Sequence, residues 1–263
     1  MSKGQENFRG VHAISLLSEI NKIDLDGLIT LAHDPFLPAF EALIPGLVKA
    51  FDQWGSSVGE MNAAIEILRQ WDFKTSEDSV AMTLAHFYGT RYGQKGVRPF
   101  AMSDMELMTY FGSGSPEKER LAIFEETLQQ LNTDFGTWNT PWGSVNRYQR
   151  LNGDPRQAFN DSLPSTPIGF ASGRWGALAA YGARYTNNTK KIYGTRGNSF
   201  VAVVSFGEKL QAKSILAGGQ SGDLNSPHFG DQLSRYAEAN FKEVLFYKEA
   251  VLKDAQRSYY PGE

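Results

Sequence analysis

The sequence predicts an α+β fold, a helical first half followed by a β-rich second half, on three observations. Apolar residues recur at helical spacing from Phe8 to about Leu131. Near Asn132 the chain turns to Gly, Asn, Thr and aromatics, and the helical period fades. The run Phe200-Val201-Ala202-Val203-Val204-Ser205-Phe206 is apolar and β-branched, the pattern of a buried strand. Segregated helices and strands are the mark of α+β organisation. The division is a helical region, 1–135, and a β-rich region, 136–263, that ends in a glycine-rich loop. The two are expected to pack as one unit.

Val11, Ile14, Leu17 and Ile20 predict a first helix over Phe8–Ile20. Asp24 starts a second through Leu25, Leu28, Ile29 and Leu31, broken by Pro35 and Pro38. A third runs from about Ala39 to Gln53, and Gly55-Ser56-Ser57 is a loop. A fourth spans Met61–Trp71, with Ile65, Leu68 and Trp71 on one face. Thr75-Ser76-Glu77-Asp78 has the form of a capping box, with Thr75 as N-cap, before a helix over Ser79–Tyr88. Ser115 and Pro116 open a helix from Glu117 to about Leu131 as N-cap and first helical residue.

In the second half, Val145–Leu151 and Lys190–Tyr193 alternate as strands do. Asn198–Phe206 and Leu210–Leu216, joined at Gly207-Glu208-Lys209, form a candidate hairpin. Asp231–Ala239 is expected to be helical, Glu243–Phe246 a short strand, and Lys248–Asp254 a last helical turn or two.

Composition closes off several function classes. The 26 basic and 29 acidic residues are mixed along the chain, so no electrostatic footprint for nucleic acid or an anionic membrane exists. With no cysteine, disulfides, thiolate metal sites and a cysteine nucleophile are all excluded. No apolar run approaches the roughly 18 residues of a membrane span. Met1-Ser2-Lys3-Gly4-Gln5-Glu6 lacks the apolar stretch of a secretory signal. It runs almost at once into a helical pattern, as a piece of a longer protein would.

Gly219-Gln220-Ser221-Gly222-Asp223-Leu224-Asn225-Ser226-Pro227-His228-Phe229-Gly230-Asp231-Gln232 is the most specific motif. It resembles the GQSG-x-x-x-SPH-[FY]-x-DQ signature of the penicillin amidase family, at ten defined positions. Further segments resemble the branch of acyl-homoserine lactone and aculeacin-type acylases, in family order along essentially the whole chain. They are Leu68-Arg69-Gln70-Trp71-Asp72 with Ser79-Val80-Ala81, Pro141-Trp142-Gly143-Ser144-Val145-Asn146-Arg147, Gly197-Asn198-Ser199-Phe200, and Arg257-Ser258-Tyr259-Tyr260-Pro261-Gly262.

The resemblance implies an αββα sandwich of the N-terminal nucleophile hydrolases. It also implies amide hydrolysis by a serine freed at the start of a large chain, whose own α-amino group serves as base. An asparagine and a backbone amide would form the oxyanion hole. No Ser-Asn-[GA]-Trp or Ser-Asn-Asn-Trp start occurs here, and Asn7 stands at the wrong spacing for the oxyanion residue. The resemblance therefore implies a C-terminal portion of the large chain that carries no catalytic residue and is inactive alone. Its partners would be the rest of the parent acylase and, in the parent, a small acyl amide. The parent would be periplasmic or secreted, and no cofactor is implied. A fatty-acyl amide, such as an acyl-homoserine lactone or a lipopeptide, is favoured over an aromatic one. The other reading is a self-standing, non-catalytic binding module.

Phe8-Arg9-Gly10…Ser15-Leu16-Leu17 matches the family helix that opens with an arginine near the chemistry. Arg9 would hold the surroundings of the oxyanion side chain in place. His228 with Asp231 invites a metal or a His–Asp dyad, yet no further ligand lies at ligand spacing. Gln220, Ser221, Ser226, His228, Asp231 and Gln232 are expected instead to satisfy the backbone of a Gly-rich loop. Ser221 is no nucleophile elbow, because Asp223 breaks the G-x-S-x-G pattern. His12, His33 and His86 read as packed or surface residues. The aromatics read as core, with Trp142 and Trp175 as candidates for a cleft wall. Severed from its upstream strands, the hairpin would leave an open edge and an apolar face. Either self-association of the chain or an exposed patch beside these strands is therefore expected.

Overall fold

The computed structural model describes residues 5–154, 156–186 and 188–260. Met1–Gly4 and the Pro261-Gly262 end of the last motif lie outside them.

Asn7 caps α1 (Phe8–Ser18) by accepting from the Gly10 amide at 3.0 Å. Asp24 caps α2 (Leu25–Ala32) in the same way, at 2.7 Å from Gly27 N. A side-chain acceptor at such a position satisfies an amide that the helix leaves unpaired. α3 (Pro38–Trp54) is the central helix and buries Phe40, Leu43, Ile44 and Leu47. α4 (Glu60–Arg69), α5 (Val80–Lys95) and α7 (Glu117–Phe135) pack around it. Ser79 is the N-cap of α5, accepting from Met82 N at 3.0 Å. Thr75 is not the cap; its hydroxyl instead donates to Gly169 O at 2.5 Å and pins the loop to the β-rich half. Pro116 is the N-cap residue of α7, one position outside the expected first turn.

α6 (Asp104–Thr109) and the single π-helical turn Tyr110–Gly114 that continues it are further elements, beyond those the helical spacing predicts. Ser103 and Glu106 close a full capping box there. The π turn sets Gly112 against α3. A Cβ on Gly46 would lie 1.5 Å from the Gly112 carbonyl oxygen, so backbone meets backbone at this contact.

After α8 (Trp142–Val145), one turn long, come β1 (Asn146–Tyr148), β2 (Thr166–Pro167), β3 (Tyr181–Arg184) and β4 (Ile192–Gly197). They form a sheet of order β2-β1-β4-β3, parallel only between β1 and β4. β5 (Phe200–Phe206), β6 (Leu210–Leu216) and β7 (Lys242–Glu243) form a second, antiparallel sheet of order β5-β6-β7. The expected hairpin pairs in one register, from Phe200 with Leu216 to Phe206 with Leu210. α9 (Leu233–Ala237) and α10 (Lys248–Asp254) complete the chain.

The fold is α+β. One core runs through both regions: Phe40, Leu43, Tyr88 and Phe124 from the helices meet Trp142, Val145, Trp175 and Ile192 from the second half. Each large apolar side chain buried there contributes about 1.5–3 kcal/mol. A smaller cluster, Ile168, Tyr181, Ile215 and Tyr236, joins the two sheets and α9.

One expectation of burial is overturned, and the uncovered apolar face expected beside the hairpin is present. β5 is not a buried strand; Val203 is covered, but Phe200 is 64% and Phe206 84% exposed. α1 buries Phe8 and His12, while Ile14 and Leu17 face solvent. In both elements the apolar face has nothing among the described residues to pack against it.

Candidate functional site

The signature loop leaves β6 at Leu216 and returns into α9. Its base is closed by Gln232 N donating to Gly218 O at 2.8 Å, and its limbs are joined by Ser221 N to His228 O at 3.1 Å. Gly219 is required by this approach, since a Cβ there would lie 2.2 Å from His228 O. The Ser221 and Ser226 hydroxyls accept from Asp223 N (3.1 Å) and His228 N (3.2 Å), the short polar turns that such residues favour. His228 Nδ1 meets Asp231 Oδ2 at 2.8 Å, with both side chains open to solvent. Gln220 is exposed and its side chain makes no hydrogen bond with a described residue. Gln232 is buried, and its Oε1 has no partner among the described residues.

The residue that organises the loop is Arg150, which lies in none of the sequence motifs. Its guanidinium lies over the Phe229 ring at 4.2 Å and donates to three loop carbonyls: Gly219 (3.1 Å), Phe229 (2.5 Å) and Ser221 (2.8 Å). A planar fork of donors suits such a convergence, which one ammonium could not match. Arg147 has a similar duty upstream, donating to Gly143 O at 2.7 Å and to Ser165 Oγ at 3.0 Å.

Trp142 and Trp175 are not cleft walls. Both are 2% exposed and lie in the core, because the short turn at Trp142 inserts between α5 and the sheet. Trp142 Nε1 donates to Phe170 O at 3.1 Å. The Trp175 indole donates to His86 Nδ1 at 3.2 Å, and His86 packs 4.7 Å from the Trp142 ring. Burial, helped by the charge of Arg174, lowers the His86 pKa to about 4. His86 is therefore neutral near pH 7 and accepts at Nδ1.

Arg9 is exposed and donates to Leu178 O at 2.7 Å, which ties α1 to the turn after Trp175. Buried His12 sits between Gly176 O (2.9 Å, Nδ1) and Asp34 Oδ1 (3.2 Å, Nε2). His33 closes the end of α2 on Ile29 O at 3.0 Å, between the rings of Phe170 and Phe241. Desolvation lowers its pKa.

The chain has four histidines, and all four are thereby accounted for. Their ring nitrogens meet carbonyls, carboxylates or an indole, and among the described residues none meets a Ser or Thr hydroxyl. A histidine-activated nucleophile needs that contact. Among the described residues no group of three or more His, Asp or Glu side chains is placed to hold a metal ion.

The penicillin amidase family model matches residues 2–253. Among solved structures the chain is similar to a thermostable penicillin G acylase from Alcaligenes faecalis, in orthorhombic form. The TM-score is 0.49 and the identity 15%, over 96% of this chain and 52% of that one. The chain thus spans about half the length of that acylase chain.

Proposed function

The chain belongs to the penicillin amidase family, and on that premise we propose that it is the C-terminal scaffold portion of an acylase of that family. The parent would hydrolyse a linear amide to a carboxylate and an amine by acyl transfer through an N-terminal serine. The observation that carries this reading is the family match over 2–253, in a chain whose histidine rings meet no Ser or Thr hydroxyl among the described residues. A serine activated by its own α-amino group needs no histidine. The Ser-Asn starts of the family's large chain do not occur in the sequence.

The exposed apolar faces of α1 and β5 support the reading, since contiguous apolar surface of this kind marks a surface meant to be covered. Resemblance of four segments, Leu68–Asp72 with Ser79–Ala81, Pro141–Arg147, Gly197–Phe200 and Arg257–Gly262, taken together, to the acyl-homoserine lactone and aculeacin acylases favours a fatty-acyl amide as substrate. Quorum-signal or antibiotic turnover in the periplasm, or outside the cell, would be the setting.

The test is hydrolysis of decanoyl-homoserine lactone and of a phenylacetyl amide. The chain should give background rates alone, and turnover when co-expressed with the upstream portion of its parent, faster on the decanoyl substrate. Turnover by the chain alone that Ser221→Ala abolishes would refute the scaffold role. Faster hydrolysis of the phenylacetyl amide would refute the fatty-acyl preference only.

A further inference from the structure

A cavity of about 420 Å³ opens where the two sheets meet. That is within the size range of small-molecule sites. It lies between β4, the loop after β1 and the start of the signature loop, and no role proposed above uses it.

Its wall is aromatic and phenolic. Tyr148 and Tyr236 stand 6.3 Å apart between ring centroids, with Tyr181 and Phe159 beside them. Tyr148 donates its hydroxyl to Ala217 O at 3.3 Å, and Tyr181 donates to Arg147 O at 2.8 Å. The Tyr236 hydroxyl makes no hydrogen bond with any described residue. Burial raises the pKa of all three, so each keeps its proton and remains a donor.

Its charge is positive. The ionisable side chains in the lining other than tyrosine are Arg150, Arg196 and Asp154. Arg150 spends its donors on neutral carbonyls, so its charge is not neutralised. Arg196 has no ion pair and no side-chain hydrogen bond among the described residues. Asp154 is offset by Arg156, at 3.6 Å. The Asn198 side-chain amide adds a donor that no described residue engages. An uncompensated guanidinium beside open donors selects an anion, and a planar carboxylate matches the guanidinium fork. Phenol rings along the wall select an apolar, flat body over a fully hydrated anion such as phosphate.

We propose that this cavity is a binding site for a small aromatic monocarboxylate, its carboxylate against Arg196 and its ring against Tyr148, Tyr181 and Tyr236. The proposal is independent of the acylase reading, because it uses neither a nucleophile nor a missing segment.

Benzoate is the probe, with benzamide as the neutral match and benzylamine as the cationic one. Calorimetry and amide chemical-shift mapping on the 263-residue chain should show saturable benzoate binding, with shifts at Thr195–Ser199 and Gly219. Benzamide and benzylamine should bind at least about tenfold more weakly, the loss expected for one charge-assisted pair. Arg196→Gln should weaken benzoate by a similar factor, and Arg196→Lys should recover part of it. Arg196 is exposed and unbonded, so neither change endangers the fold. Tyr236→Phe should weaken binding severalfold. Absence of saturable binding would overturn the proposal. So would equal affinity for the three probes, or benzoate binding indifferent to Arg196→Gln.

Discussion

Replacing Arg150 by alanine should loosen the signature loop without unfolding the core. Three guanidinium hydrogen bonds to Gly219 O, Phe229 O and Ser221 O are lost, together with the stack on Phe229. A hydrogen bond from a charged group contributes roughly 1.5–3 kcal/mol net where it is buried, and less where water can take its place. Gly219 is buried but lines the cavity, and Ser221 and Phe229 are half-buried, so water entering in the variant takes over part of what the guanidinium supplied. The expected loss is therefore about 2 kcal/mol, below the sum for three buried bonds of this kind because water replaces much of each. Arg150→Lys should recover less than half of it, because one ammonium cannot span three convergent acceptors. Urea unfolding measures the stability. Hydrogen exchange at Ser221 N and Gln232 N measures the loop itself, since those amides close its limbs and base. A loss under about 0.5 kcal/mol, with unchanged exchange at both amides, would show that the loop is held by its own turns and that Arg150 is a bystander.

Three further outcomes follow from named contacts. Gly219→Ala should destabilise by about 1–3 kcal/mol, as a Cβ 2.2 Å from His228 O forces the limbs apart; urea midpoints check it. Gly46→Ala should cost at least as much and separate α3 from the π turn, read as a lower melting temperature and faster exchange in residues 110–114. His86 has a folded pKa of about 4 against an ordinary value of 6.5, so the unfolded chain binds the extra proton. Its contribution is present above pH 6.5 and is lost as pH falls toward 4, up to about 3 kcal/mol over that window. His86→Gln keeps an acceptor for Trp175 and should flatten stability against pH there; an unchanged slope would place the titration elsewhere.

What the sequence disclosed was the period of each element, and what it concealed was the identity of the neighbour. Asp24 as a cap, the Phe200–Phe206 strand and its hairpin with Leu210–Leu216 rest on local chemistry, and the backbone adopts them. α6 was equally legible in principle: Ser103 and Glu106 stand three apart as a capping box, a signal overlooked beside the longer helices. Thr75 shows the limit of such signals, since the same hydroxyl that could cap a helix reaches Gly169, 94 residues away, instead. Arg150 and the burial of Trp142 had no local signature at all, because both follow from how the strands and the loop close in space.

The apolar residues of α1 and β5 carry that argument to the function. Phe200 and Phe206 stand in a run with the pattern of a buried strand, and Ile14 and Leu17 recur at helical spacing. In the structure they are exposed, while Phe8 and Val203 on the opposite sides of the same elements are buried. Each element thus has two apolar faces, as does a helix or strand inside a layered fold rather than on its outside. Phe206 at 84% exposure leaves most of its apolar area in water, a loss of about 1.5–3 kcal/mol relative to burial. A partner layer over β5 would recover that energy at each such residue. Substituting Phe200 and Phe206 together by serine separates the readings. It should leave the urea stability of this chain within about 0.5 kcal/mol, since neither side chain is packed here. It should also reduce recovery of acylase activity on co-expression with the upstream portion. A large loss of intrinsic stability would mean that the face is already covered within the chain, and the layered reading would fall.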